Sequence, residues 1–127
     1  MATRMNRDRL YTLAQEEVNR TVAALPEPLR ERAKQVPVTF EERPNSKQRR
    51  DGIEPDTLGL FVGPEFADEG NTTVPLPPQI ILFLENLWDQ AERNDRFFRE
   101  EVHTTFLHEL GHYLGLDEEG LVERGLE

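Results

Sequence analysis

The chain carries His108, Glu109 and His112 in the order HExxH. Residues four apart on an α-helix sit one turn up and roughly 40° round from each other, so two imidazoles at this spacing could grip one ion. Zinc held by neutral imidazoles and a carboxylate, with a fourth position open, lowers the pKa of its water to about 7. With His108 at the zero of a helical wheel and about 100° per residue, Glu109 stands beside the two imidazoles but not in line with them. That place suits a general base acting on the metal-bound water better than it suits a third ligand. The chain has no cysteine and only three histidines, so His, Asp and Glu must supply every ligand.

Two side chains rarely suffice for zinc. Gly115 follows the motif where a glycine can take the left-handed conformation that ends a helix and turns the chain back. Asp117 and Glu118 come next. Glu118 stands at the third-ligand place of the HExxHxxGxx pattern and is the expected ligand, with Asp117 as a shorter competitor. Thr104, Thr105, Gly111 and Gly115 fall on or beside the histidine face of the wheel, which leaves a low surface beside the ion.

Other conspicuous residues have plainer readings. His103 lies on the wrong side of the wheel to join the site and reads as an ordinary packing or surface histidine. Glu101 shares the histidine face but is about 10 Å away along the helix axis, and reads as a solvated acid. Tyr113 falls among Phe98, Val102, Phe106 and Leu110, on the core side. Trp88, Phe97 and Phe98 are assigned to packing. Of the acidic run that closes the sequence, Glu119, Glu123 and Glu127 read as solvent-facing.

The motif needs a helix beneath a layer that can position it, and the patterns on its N-terminal side supply one. Leu10, Leu13, Ala14, Val18, Val22 and Leu25 repeat at three and four residues, which predicts a helix over 8–25, halted by Pro26 and Pro28 and lying against a sheet. A short helical turn follows over 29–34. Val36, Val38 and Phe40 alternate with polar neighbours, which predicts a strand over 36–43. Residues 44–56 show neither period and read as an exposed loop. Two apolar runs, TLGLFVG over 57–63 and QIILFL over 79–84, predict two more strands, separated by the turn-rich stretch 66–78. Gly59 and Gly63 read as backbone accommodations, because no glycine-rich phosphate loop follows any strand. A short helix over 84–91 and a long one over 96–114, capped by Asn94 or Asp95, complete an α+β architecture with a small mixed sheet of three or four strands.

The length of 127 residues matches one domain: a helical segment over 1–34, then the sheet and motif helix over 35–127. No stretch approaches the roughly 20 apolar residues of a spanning helix, and the first ten residues lack the apolar run of a signal peptide, so a cytoplasmic location is expected. The net charge of −10 is uneven: residues 1–50 hold 11 basic and 7 acidic groups, and residues 51–127 hold 4 and 18. The acidic part would repel phosphate backbones. Lys47, Arg49 and Arg50 form the one basic cluster that could touch RNA, a weaker expectation.

The run HELGHYLGLDEEGL, together with TLGLFVG, resembles the minimal zincin-like metallopeptidase family of bacteria over roughly residues 35–127. The resemblance implies a pared-down zincin fold with the motif helix beneath a mixed sheet, and it maps His108, Glu109 and His112 onto ligand, base and ligand. The family often has aspartate as third ligand where this chain has Glu118. Zinc-dependent hydrolysis of a peptide bond is therefore the expected activity. A peptide or protein would be the substrate, aligned along a sheet edge formed by 57–63 or 79–84, and the chain would act as a monomer without nucleic acid or membrane. The competing expectation is a zinc-stabilised interaction module that cleaves little.

Overall fold

The computed structural model describes residues 4–63 and 77–116. In chain order the elements are α1 (Arg4–Ala23), α2 (Leu29–Ala33), β1 (Val38–Glu41), α3 (Ser46–Arg50), β2 (Gly59–Val62), β3 (Gln79–Phe83), α4 (Leu84–Gln90) and α5 (Asp95–Leu114). The three strands form one mixed sheet in the order β1-β3-β2. β1 runs parallel to β3 with Val38 opposite Ile80, and β2 runs antiparallel to it with Leu60 opposite Ile81. This is the small α+β architecture that the sequence predicts. β3 is central and its last four residues are buried, which explains an apolar run without alternation. β2 is an edge among the described residues, so of the two runs proposed as a substrate edge only the first is one.

The core forms where the helix stripes meet the sheet. Leu10, Ala14 and Val18 of α1 join Phe98, Val102, Phe106, Leu110 and Tyr113 of α5 and Ile80 and Leu82 of β3 in one buried cluster. The helix-on-sheet expectation for α1 is corrected: α1 packs chiefly on α5. It reaches β1 through the edge-to-face rings of Tyr11 and Phe40, 4.8 Å apart. Arg9 ties α1 to the first turn of α5 by pairing with Asp95, and its guanidinium lies over Trp88. α1 begins at Arg4, four residues before the predicted start at residue 8, because the residues that precede Leu10 carry no three-and-four apolar repeat.

The stretch read as a loop over 44–56 contains α3. Asn45 caps it, accepting from the Gln48 N–H, while the Gln48 side chain accepts from the Asn45 N–H. This reciprocal pair is a capping box that needs no apolar stripe. The basic cluster sits on α3, where Lys47 pairs with Asp51. Between α4 and α5 the chain reverses through Glu92 and Arg93, both at φ 57°, and Asn94 then caps α5 by accepting from the Phe97 N–H at 3.0 Å. No helix among the described residues is long and apolar enough to cross a membrane.

Candidate metal centre

α5 carries the motif on its last two turns. Its apolar stripe is buried against the sheet and α1, so the histidine side is left facing outward. His108 and His112 are exposed, whereas Glu109, one residue round, is 9% exposed. The helix ends at Gly115, which adopts φ 73° and ψ 27°, and the Leu116 N–H returns to the Gly111 carbonyl at 2.7 Å. A left-handed residue at this place costs glycine nothing, so the turn after the motif is built as the sequence indicates. Asp117 and Glu118, the proposed third ligands, lie outside the described residues.

The imidazoles converge. Their Nε2 atoms are 3.3 Å apart, with the rings nearly perpendicular at 85°. Two nitrogens bound tetrahedrally at about 2.0–2.1 Å stand roughly 3.3–3.4 Å from each other, so the pair already has the bite that one zinc ion requires. His108, Glu109 and His112 keep their ligand atoms within 4.8 Å of one another and could hold a metal ion. A pair of imidazoles next to an acid is also the donor chemistry that zinc favours.

Glu109 is held differently from the histidines. Its carboxylate accepts a hydrogen bond from the Phe61 backbone N–H on β2. Burial pushes its carboxyl above its ordinary value, outweighing the opposing pull of His112, His108 and that hydrogen bond. The helix comes this close to β2 because of Gly59: a Cβ there would lie 2.7 Å from the Thr105 methyl and 3.2 Å from Glu109 Cγ. The reading of Gly59 as a backbone accommodation therefore has a specific cause. Gly63, at φ 111°, is the second such accommodation, with a Cβ 2.7 Å from Pro78 Cα. The Asn86 side chain donates to the Pro55 and Thr57 carbonyls, both at 2.8 Å, and so pins the segment that enters β2. The sequence reading passed over Asn86, although a buried amide in the apolar run LENLW was its signal.

Other sequence assignments sort as follows. His103 turns toward α1, where its Nδ1 is 2.8 Å from Thr21 Oγ1, so it serves packing and not the site. Glu101 is half-buried. Tyr113 is fully buried beside Phe61, and Trp88 packs edge-on against Phe98. Phe97 is a correction: it is 46% exposed, because a neighbour one residue from buried Phe98 is turned about 100° off the core. The low surface beside the histidine pair is also smaller than the wheel implies, since Thr105 and Gly111 are buried and, of these four residues, only Thr104 and Gly115 are exposed.

The sequence profile described as zincin-like metallopeptidase matches residues 33–126. The chain belongs to the zincin-like metallopeptidase family. None of the curated proteins compared with it matches. As a zincin-like metallopeptidase the chain is expected to work with a metal, usually zinc, and the His108, Glu109 and His112 group in its C-terminal helix is the place that could bind it. The match starts after α1, yet α1 supplies part of the cluster behind the motif helix of this zincin-like chain.

Proposed function

We propose that the chain hydrolyses peptide bonds with a zinc ion held by His108, His112 and a carboxylate just beyond Gly115, Glu118 in first place and Asp117 as the alternative. The observation that carries this reading is the pair of exposed histidines with Nε2 atoms 3.3 Å apart beside a buried carboxylate that accepts from the Phe61 N–H. When bound, zinc polarises a carbonyl and makes water acidic near neutral pH. Glu109 takes the proton from the attacking water and delivers it to the leaving nitrogen. A carboxyl raised by burial suits both transfers, since a base works best with a pKa near the operating pH. The outer side of β2 offers backbone groups that can align an extended peptide or protein substrate beside the histidines.

The test is Glu109→Gln assayed on fluorescein-labelled casein with metal content measured in parallel. The proposal predicts that turnover falls by roughly 10²–10⁴-fold while metal stoichiometry is kept. A zinc-stabilised interaction module would instead show no turnover in either form, with folding and metal content intact in both. Loss of the metal in this variant would contradict the assignment of Glu109 as base.

A further inference from the structure

Backbone parity on β2 decides which of its groups face outward. The Phe83 N–H donates to the Leu58 carbonyl at 3.0 Å, and the antiparallel register continues from there with Gly59 opposite Leu82 and Phe61 opposite Ile80. Hydrogen-bonded and non-hydrogen-bonded pairs alternate along an antiparallel ladder, so Leu60 and Val62 bond to β3 whereas Gly59 and Phe61 turn their N–H and C=O groups to the outer side. Among the described residues no strand pairs there. The Phe61 N–H nevertheless has a partner, the Glu109 carboxylate.

We propose that the Phe61 N–H is a tether for the Glu109 carboxylate and not a rung for substrate, so that the edge strand, together with the motif helix, fixes where the base stands. A glutamate on a helix has rotamer freedom that must be lost before it can act from one place. A single bond from a rigid backbone donor removes much of that freedom and occupies one carboxylate oxygen, leaving the other to meet water. Gly59 makes the approach possible by leaving room for Thr105 and Glu109 Cγ, and the Phe61 ring packs 5.9 Å from that of Tyr113, which fixes strand to helix on the far side of the base. The substrate ladder then uses the outward groups of Gly59 and the Phe61 carbonyl and leaves the Phe61 N–H out.

This inference rests on the peptidase reading above and makes Phe61 a positioning residue, tested in two ways. Amide hydrogen exchange on the zinc-loaded chain should show Phe61 protected in the wild type and in Glu109→Gln, whose carbonyl still accepts, and exchanging at least about 10-fold faster in Glu109→Ala with Leu60 and Val62 unchanged. Unprotected Phe61 in the wild type overturns the tether. In the kinetic arm, Phe61→Pro removes the N–H at an outward edge position of the kind that accommodates proline, and Phe61→Leu keeps it. With labelled casein, Phe61→Pro should lower kcat by roughly 10-fold to 100-fold with KM within about twofold, while Phe61→Leu keeps most of kcat. A rise in KM with kcat preserved would make the N–H a substrate rung and overturn the proposal while leaving the peptidase reading intact. A wild-type chain that cleaves nothing overturns both.

Discussion

Exposure sorts the three histidines by task. His108 and His112 face outward with their Nε2 atoms converging, whereas His103, on the same helix, spends its Nδ1 on Thr21 of α1. The two adjacent phenylalanines are sorted the same way, and they give a test of the packing. Phe98 is fully buried, so Phe98→Ala should cost about 3–5 kcal/mol. Phe97→Ala should stay within about 0.5 kcal/mol, both read from urea unfolding midpoints. The motif was legible in the sequence because its chemistry depends only on a four-residue spacing within one helix. The exclusion of His103 and the core placement of Tyr113 followed from the same wheel. The hold on Glu109 was not legible, because its donor is a backbone N–H on a distant strand and no side chain marks it. Phe97 failed for a simpler reason: it is turned about 100° from Phe98, and near the start of α5 that direction faces away from the core.

At the level of elements, the close pass of α5 over β2 is the feature most exposed to mutation. Gly59→Ala puts a methyl against Thr105 and Glu109, and overpacking of this kind costs about 1–3 kcal/mol. The double variant with Thr105→Ser removes the nearest clash and should recover part of that loss in thermal unfolding. A Gly59→Ala chain as stable as the wild type would mean that helix and strand are not held this tightly. The three described strands and the long helices could be read from sequence because β1 alternates, β2 and β3 are continuous apolar runs, and the helices keep their three-and-four spacing. α3 escaped because a capping box between Asn45 and Gln48 builds a helical turn without any apolar stripe. The reversal through Glu92 and Arg93 left no mark either, since neither residue type favours the left-handed conformation that both adopt.

Across the whole molecule, charge is the property that most directly couples folding to pH. The Glu85 carboxyl is pushed above its ordinary value by burial and by its hydrogen bond with Glu42, whose own value is held down by the Arg7 guanidinium. A carboxyl raised in the folded state makes the folded chain bind more protons than the unfolded one between its ordinary and its raised value. The stability it contributes is therefore present below that window and lost as pH rises through it. Glu85→Gln should flatten the fall in unfolding free energy as pH rises above the ordinary glutamate range, and a steeper fall in the variant would refute this. The family match from residue 33 onward and the cluster shared by α1 and α5 set this chemistry around one central assertion, that the histidine pair holds an ion. Elemental analysis by inductively coupled plasma mass spectrometry, on gently purified wild type and on His108→Ala/His112→Ala, tests it most directly. Stoichiometric zinc in the wild type and none in the double variant is the predicted result. A wild type without a stoichiometric transition metal even after reconstitution, or a double variant that retains it, would contradict the account.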